Sequence, residues 1–388
     1  MRFLHTSDWH LGRALHGEEL TPHHASFLAW LLGAARDEGA QAVVVAGDVY
    51  DRSIPPVDAV GLLDETFRRF AEARIPLIVT SGNHDSPVRL GFGAGLARLG
   101  GVHLRTTVDA IAEPIVLGDE WGKVAFYGMP YLQPDEVRDA LGAERSHASV
   151  LGHGAARARA HALRAGFDRT VLIGHAMVTG GATCESERDL HVGGVADAPA
   201  SSLDGFSYVA LGHLHRAQAV AATGGSGTLR YSGSPLAYSF AERDHEKSVA
   251  VVEIDGRGDA RCRLVPTPVP RPLREVRGPL EELLARAAHD LASLAEAWVH
   301  VVLTDPRPPA APMDRLRAVW PHTLQLSYAP ESALPETTTD LGRLARATSP
   351  VEVCELFVEF VTGHPPSEVE RTVLTAAVER ATHAEEPG

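Results

Sequence analysis

The chain has 388 residues, of which 44% are hydrophobic, so it can bury a substantial core in about two or three domains. Its formal net charge of −14 argues against binding nucleic acid through a broad basic surface, although bound divalent cations would add positive charge locally. The three widely spaced cysteines form neither a metal knuckle nor a disulfide framework, which favours a reducing compartment. Without a signal-like start or a long apolar span, we expect a soluble cytoplasmic protein with no membrane segment.

The first two thirds of the chain alternate predicted strands with predicted helices, which is typical of an α/β fold. The continuous β-branched run at 43–45 is typical of a strand that is covered on both faces. The predicted elements, in chain order, are strand 2–5, a helix that begins at 21 and ends at Gly39, strand 42–46, helix 56–74, strands 76–81 and 124–128, helix 155–166, and strands 170–175, 208–215, 248–254 and 260–265.

A second region begins after four prolines between 266 and 272, which predict a stiff linker. The following pattern predicts a small α+β domain, then a polar stretch, then two amphipathic helices at 351–361 and 367–382. The small domain's predicted elements are strand 273–276, helix 280–294, strand 298–303, helix 313–320 and strand 323–327. We therefore predict four parts, namely 1–268, 269–330, a linker 331–350 and a helical tail 351–388.

The most distinctive stretch is Gly82-Asn83-His84-Asp85, which places an amide, an imidazole and a carboxylate directly after an apolar strand. Four other polar clusters follow predicted strands in the same way: Asp8 with His10, Asp48 with Asp51, His175, and His213 with His215. Residues two apart on an extended strand end point the same way, so each close pair can face one centre. Because sites in open α/β sheets form beyond the carboxyl ends of strands, these clusters predict a metal centre.

The donor types also indicate which metals would bind. Carboxylate, carboxamide and imidazole without thiolate suit Mn²⁺ or Fe²⁺, with Zn²⁺ an alternative. The donors are too many for one ion, and two ions roughly 3.5–4 Å apart can activate a water molecule and clamp a phosphate group. A single histidine after a strand, such as His175, is more often structural than a ligand. The other clusters make the metal interpretation the better one here.

His84 is not needed as a ligand because it lies beside the candidate ligand Asn83. We expect it to steady or protonate the leaving oxygen, with Asp51 fixing its tautomer. The alternative for His84 is a structural hydrogen bond inside the loop. The alternatives for Asp51 are a salt bridge to Arg52 and stabilisation of the turn.

The series D-x-H, G-D-x-x-D-R, G-N-H-D, G-H and G-H-x-H resembles the calcineurin-like metallophosphoesterase superfamily. More narrowly, Thr6–Arg13, Gly47–Arg52, Gly212–His215 and Gly233–Phe240 resemble the SbcD family of nuclease subunits. The resemblance implies a four-layer α/β/β/α sandwich as a nuclease domain, a small α+β capping domain and a C-terminal helix pair.

The resemblance also implies two Mn²⁺ ions that share Asp48 as a bridge. The other implied ligands are Asp8, His10 and His215 for one ion, and Asn83, His175 and His213 for the second. The implied activity is a double-strand DNA exonuclease and single-strand or hairpin endonuclease that acts in DNA repair, recombination and replication.

The implied partners are DNA and an SbcC-type coiled-coil ATPase, in a heterotetramer built on a homodimer of this chain. The terminal helix pair lies where family members dock the ATPase, and its candidate contacts are Leu356, Phe357, Phe360, Val373 and Leu374. Because the chain is acidic, we expect the ATPase to contribute much of the DNA-binding surface.

Two other functions use the same residues. A phosphoesterase acting on a small molecule or a protein would share the metal chemistry, but it would not need the extra domain after Pro272. A non-catalytic scaffold of the same fold would bind partners only, and such a protein would not need the complete set of ligands.

Overall fold

The computed structural model describes residues 1–182, 198–220, 228–329, 347, 349–362 and 364–384, with the backbone only at 360, 361 and 381–384. The chain forms two compact units. One comprises Met1–Glu275, Ser293–His300 and Trp320–Gln325, and the other comprises Val276–Ala292, Val301–Val319 and Leu326–Gly388. The domain boundaries expected from the sequence stay a prediction, and most of the linker 331–350 lies outside the described residues.

The regular elements of the described residues follow the alternation expected from the sequence. The strands are β1 (Arg2–Thr6), β2 (Ala14–Leu15), β3 (Glu18–Glu19), β4 (Val43–Ala46), β5 (Leu77–Thr80), β6 (Val102–Arg105), β7 (Ile115–Asp119), β8 (Gly122–Gly128), β9 (Thr170–His175), β10 (Tyr208–Gly212), β11 (Gln218–Val220), β12 (Thr228–Tyr231), β13 (Ser248–Ile254), β14 (Ala260–Pro266), β15 (Leu273–Gly278), β16 (Trp298–Leu303) and β17 (Thr323–Tyr328). The helices are α1 (Thr21–Asp37), α2 (Val57–Ala73), α3 (Pro87–Leu90), α4 (Ala94–Ala97), α5 (Pro134–Leu141), α6 (His147–Ala165), α7 (Leu280–Arg286), α8 (Pro312–Val319), α9 (Pro350–Thr362) and α10 (Glu368–Ala384).

Two six-stranded mixed sheets dominate the first unit. The spatial order is β14-β13-β1-β4-β5-β6 in the first sheet and β11-β12-β10-β9-β8-β7 in the second. Strands β1, β4, β5 and β6 run parallel, as do β8, β9, β10 and β12. Antiparallel strands flank each parallel set. The carboxyl ends of the parallel strands therefore lie along one edge of each sheet, which positions the loops that follow them.

The two sheets pack face to face through a shared apolar layer. The ring of Phe3 from the first sheet meets the ring of Phe126 from the second edge to face, with centroids 5.3 Å apart. Along β4, Val44 and Ala46 belong to this layer, whereas Val43 and Val45 face the helices on the other side. Every residue of β4 is consequently buried, which explains its continuous apolar sequence.

Helices cover the outer face of each sheet. Helices α1 and α2 pack on the first sheet through residues such as Phe27, Leu31 and Phe70. Helix α6 packs on the second sheet through Val150 and Ala158. The result is the predicted α/β/β/α order of layers, and the predicted fold class is confirmed.

Two predicted helices have different bounds in the structure. Helix α6 begins at His147 rather than at 155, because the Ser146 side chain caps it by accepting a hydrogen bond from the Ser149 amide at 3.1 Å. Helix α7 ends at Arg286 rather than at 294, because the chain turns there and the amides of His289 and Leu291 both donate to the Arg286 carbonyl. Local capping and turning therefore decide both ends.

The small three-stranded sheet has the order β15-β16-β17, as expected for the α+β region, and α7 and α8 belong to the second unit. The terminal helices α9 and α10 pack on each other, and Arg371 forms an ion pair with Glu355 at 2.8 Å. None of the helices that the structure describes is both long enough and apolar enough to cross a bilayer.

Candidate metal centre

The predicted ligands all lie at or just beyond the carboxyl ends of strands. β1 leads to Asp8 and His10, β4 to Asp48, and β5 to Asn83, all in the first sheet. In the second sheet, His175 ends β9, while His213 and His215 follow β10. Because the two sheets stack, their loops meet, and residues that are distant in sequence come together there.

The backbone at this edge adopts unusual conformations. The φ angles of Asp8, His10, Asp48 and His213 are 53°, 46°, 50° and 108°. Residues with a β-carbon rarely adopt positive φ, and such strain concentrates at functional sites. The expectation that Asp8 with His10, and His213 with His215, lie on extended strand ends is therefore wrong. Turns in the left-handed region, rather than strand periodicity, aim these side chains.

One group of donor atoms surrounds His10. The donor atoms of Asp8, His10 and His215 all lie within 4.8 Å of one another. The Nε2 atoms of His10 and His215 are 3.2 Å apart. The Oδ2 atom of Asp48 lies 3.6 Å from His10 Nε2.

A second group surrounds Asn83. Its Oδ1 atom lies 2.9 Å from His175 Nε2 and 3.1 Å from His213 Nδ1. The Oδ2 atom of Asp48 also approaches this group, at 3.4 Å from His175 Nε2. The structure thus brings all seven predicted ligands together, with one oxygen of Asp48 between the two groups.

Glycines next to the ligands allow the strands to approach this closely. A β-carbon on Gly82 would lie 2.1 Å from Asp48 Oδ1, and one on Gly212 would lie 1.9 Å from the carbonyl oxygen of Ala46. Both distances are far below any real contact. Glycine is therefore required in both motifs because it lets one loop lie directly on another.

Burial and mutual charge set the protonation of the acidic groups. Burial raises the pKa of Asp8 to about 6, although His175 and His215 act in the opposite direction. Burial also acts to raise the pKa of Asp48, but neighbouring imidazoles, chiefly His175, outweigh it and hold that pKa well below its usual range. Burial would lower the pKa of His175, but the Asp48 and Asp8 carboxylates raise it to about 9. The two carboxylates therefore depend on nearby positive charge.

The donor set fits divalent cations. Two histidines aim ring nitrogens at each other across 3.2 Å, and one amide oxygen is shared by two further ring nitrogens. Nitrogen and oxygen donors that converge in this way, together with two buried carboxylates, form the ligand set that Mn²⁺, Fe²⁺ and Zn²⁺ accept. The residues that would hold the cations are thus in place.

His84 lies at the margin of the second group, where its backbone amide donates to Asp48 Oδ1 at 2.9 Å. Its Nδ1 atom lies 2.8 Å from the backbone carbonyl oxygen of Asp51. A carbonyl oxygen only accepts hydrogen bonds, so Nδ1 carries the proton. The other ring nitrogen, Nε2, lies 4.0 Å from Asp48 Oδ2 and therefore faces the centre.

The side chain of Asp51 has other partners than the sequence suggested. Its carboxylate lies 3.6 Å from His10 Nδ1, 3.5 Å from Arg13 Nη1 and 3.6 Å from Arg52 Nε. The expectation that this carboxylate fixes the tautomer of His84 is corrected, because the carbonyl group of the same residue does so. Sequence reasoning identified the residue but could not separate its side chain from its backbone.

Comparison with known proteins agrees with this geometry. The family model described as calcineurin-like phosphoesterase matches residues 1–217. A second model, described as type 5 capsule protein repressor C-terminal domain, matches residues 269–362. The chain belongs to the calcineurin-like phosphoesterase family.

Relatives within this family share most of the chain. It is 31% identical over 331 residues to the SbcD subunit of nuclease SbcCD from Staphylococcus epidermidis, covering 84% of this chain and 85% of that protein. It is 32% identical over 330 residues to the corresponding protein of Staphylococcus saprophyticus, covering 84% of each. The chain is thus a member of the SbcD family, as its motifs indicated. The solved calcineurin-like phosphoesterase YfkN from Bacillus subtilis is a distant match, with a TM-score of 0.40 and 14% identity over 69% of this chain and 90% of that one.

Asp85 completes the loop of this phosphoesterase in a way that the sequence analysis missed. Its buried carboxylate accepts hydrogen bonds from the amides of Val49, Tyr50 and Gly82 at 3.1, 2.8 and 2.9 Å. It therefore ties the loop that carries Asn83 to the loop that carries Asp48. Its position as the last letter of the four-residue motif was the signal that could have revealed this role.

Proposed function

We propose that the chain is the Mn²⁺-dependent nuclease subunit of a DNA-processing complex, active as a double-strand exonuclease and as a single-strand or hairpin endonuclease. The observation that carries the proposal is the convergence of seven nitrogen and oxygen donors around one oxygen of Asp48. The relatives are both named as the SbcD subunit of nuclease SbcCD, which supports DNA as the substrate and repair and recombination as the setting.

We assign the seven donors to two Mn²⁺ ions, with Fe²⁺ or Zn²⁺ as alternatives, that share Asp48. Asp8, His10 and His215 complete one set, and Asn83, His175 and His213 complete the other. Two bound cations would neutralise charge on the scissile phosphate and make a water molecule nucleophilic at neutral pH. The protein holds the donors in strained turns, so the geometry exists before substrate arrives.

We assign His84 to the leaving oxygen. Its Nδ1 atom is fixed by the Asp51 carbonyl at 2.8 Å, so the ring is held in one orientation with Nε2 toward the centre. From there Nε2 can hydrogen-bond or pass a proton to the oxygen that departs from phosphorus. Asp51 contributes through its carbonyl to His84, and through its carboxylate to the surroundings of His10.

The terminal helices supply the proposed docking surface for an SbcC-type ATPase. Phe357 and Val373 are 64% and 59% exposed, and Leu356 and Leu374 are half-buried between them. The side chain of Phe360, the fifth residue expected there, lies outside the described side chains. Large apolar groups that stay exposed in a folded helix pair are typical of a surface that a partner covers.

A second exposed apolar surface supports the homodimer within the proposed heterotetramer. We call it the apolar ridge, and its members with their exposed fractions are Val57 85%, Val60 44%, Val88 84%, Phe92 89%, Leu96 77% and Leu99 81%. The two segments that carry it are neighbours, because Arg89 donates to the Ser53 carbonyl at 3.0 Å. We assign the apolar ridge to contact with a second copy of the chain.

The oligomeric state tests the apolar ridge. The double variant Phe92→Asp with Leu96→Asp is expected to convert a dimer to a monomer in light scattering without lowering the melting temperature. Leu163→Asp is the matched control, because Leu163 is 84% exposed elsewhere on the same unit, on α6. A wild-type protein that is monomeric at all concentrations would contradict the assignment.

Activity of the protein copurified with the ATPase tests the proposed function. Duplex DNA, hairpin DNA and a chromogenic phosphodiester are compared with Mn²⁺, with and without ATP. We expect DNA cleavage that requires Mn²⁺ and rises with the ATPase and ATP. Cleavage of the chromogenic ester alone would favour a small-molecule phosphodiesterase, and absence of both Mn²⁺ binding and hydrolysis would favour a scaffold.

A further inference from the structure

Two buried charged residues lie behind His215 without a role in the proposed function. Glu242 is 1% exposed and Lys247 is 6% exposed. Isolated charges are very costly to bury, so such residues need partners. The two side chains form an ion pair with each other, which satisfies part of that need.

The pair is connected to His215 at two points. Glu242 Oε1 lies 3.6 Å from His215 Nδ1. Lys247 Nζ donates to the carbonyl oxygen of His215 at 3.0 Å and lies 2.9 Å from Ser234 Oγ. On the opposite side of the ring, His215 Nε2 is 3.2 Å from His10 Nε2. The imidazole of His215 therefore stands between a carboxylate and the metal centre.

The segment that carries Glu242 is itself fixed to the loop of the first donor group. The backbone amide of Tyr238 donates to Glu242 Oε1 at 3.1 Å. The hydroxyl of Tyr238 donates to the carbonyl oxygens of Asp8 and Trp9 at 3.1 and 2.6 Å. Glu242 is thus tied to the loop of Asp8 as well as to His215, and both of these residues belong to the same proposed ion.

We propose that Glu242 is a positioning residue for His215, with its carboxylate accepting a hydrogen bond from Nδ1–H so that the Nε2 lone pair faces the cation. Carboxylate–histidine–metal arrangements fix the tautomer and the ring orientation of the ligand in this way. Lys247 keeps the carboxylate in place and balances its charge. The inference rests on the proposed function, because it gives His215 a cation to bind.

Titration with Mn²⁺ alone tests this role by calorimetry and by electron paramagnetic resonance of the bound ion. Glu242→Gln leaves Lys247 buried without its counterion, so that variant is expected to melt at a lower temperature. The double variant Glu242→Gln with Lys247→Met removes both charges and is expected to fold. We expect it to bind one ion with wild-type affinity and the other roughly 10–100-fold more weakly.

The control is Glu275→Gln, which removes a carboxylate that pairs with His300 at 3.1 Å rather than with a proposed ligand. It is expected to bind both ions as the wild type does. Wild-type affinity at both sites in the folded double variant would overturn the positioning role and leave the proposed function intact. If the wild-type protein itself bound no Mn²⁺, the proposed function would fail with it.

If the double variant does not fold, Glu242→Asp decides the matter. This change keeps a charge for Lys247 but withdraws the carboxylate from His215 by one methylene. We expect a near-wild-type melting temperature with weaker binding of one Mn²⁺ ion. Unchanged binding of both ions by this variant would count against the positioning role in the same way.

Discussion

The metal centre and the terminal helix pair reverse the usual distribution of side chains in opposite directions. At the metal centre, the polar residues Asp8, Asp48 and His175 are 0%, 2% and 1% exposed. On the helix pair, the apolar residues Phe357 and Val373 are mostly exposed. Burying polar groups is costly without partners, and exposing apolar groups is costly without cover. Each region is therefore incomplete alone, one for want of cations and the other for want of a protein partner.

Removing the shared carboxylate would break the first half of this comparison most severely. We expect Asp48→Ala to lower Mn²⁺-dependent hydrolysis by about a thousandfold or more, because both ions lose a ligand. Metal content measured by mass spectrometry should fall with it. Asp139→Ala is the control, since its side chain is 95% exposed and pairs only weakly with Arg138. Two ions still bound in Asp48→Ala would contradict the shared-ligand assignment.

Removing His84 separates chemistry from metal binding. We expect His84→Ala to lower kcat by about a hundred- to a thousandfold while metal content stays at the wild-type value, because His84 acts on the leaving oxygen. His153→Ala, which changes an exposed histidine that bonds within its own helix, should leave both quantities unchanged. A wild-type rate in His84→Ala would leave the ring with only a structural role.

The close packing of the loops predicts a loss of stability that does not depend on metal. Gly212→Ala is expected to cost about 3 kcal/mol or more, because its β-carbon would lie 1.9 Å from the Ala46 carbonyl. Gly152→Ala is the matched control within α6, where the nearest atom is 4.0 Å away. That change should stabilise the protein by about 0.5–1 kcal/mol through helix propensity. Chemical denaturation without metal measures both, and equal effects would refute the packing argument.

A buried charge that already has protein partners sharpens the comparison. Arg169 bonds both carboxylate oxygens of Asp119 at 2.7 and 2.6 Å, and the N-terminal amine also pairs with Asp119. We expect Arg169→Met to lower the free energy of unfolding by about 3 kcal/mol at pH 7. Removing metal with a chelator should not change this difference.

The difference between the two proteins should depend on pH. Arg169 holds the pKa of Asp119 below its usual range. A carboxylate with a lowered folded pKa stabilises the protein above its unfolded pKa of about 3.9, and this contribution is lost as the pH falls further. The gap between wild type and Arg169→Met should therefore narrow below about pH 4. A gap that stays constant down to pH 2 would show that the ion pair is not its source.

The smallest expected effect concerns the exposed apolar surface of the tail. Phe357→Asp should weaken copurification with the ATPase by about thirtyfold, as expected for a buried aromatic contact. Its melting temperature should stay that of the wild type, because the side chain is already 64% exposed. Leu163→Asp, on α6, should leave partner binding unchanged. Equal binding by both variants would place the partner elsewhere.

Much of the fold was predictable because its signals are local. The buried run of β4, the prolines after β14 and the periodic apolar residues of α1 each depend on neighbouring residues only. The start of α6 was missed because a single capping residue, Ser146, decided it. Strands β6, β7, β11 and β12 were missed because they are short and their alternation is weak.

The candidate site was predictable as a set of residue types but not as a geometry. Donor residues after strands suggested a metal centre, and the structure brings all seven of them together. The reason given for the close pairs was wrong, since Asp8, His10 and His213 have positive φ. The contact between His84 and the Asp51 carbonyl was missed because backbone groups are the same in every residue, and so carry no sequence signal.

The sequence by itself determined the order of strands and helices and the chemistry at each strand end, since these depend on local patterns and on side-chain type. Only the tertiary structure decided which oxygen of Asp48 lies between the two donor groups, which strand ends touch at Gly212, and that Glu242 stands behind His215. These contacts join residues far apart in the chain. They arise only when the two sheets stack and their loops share one edge.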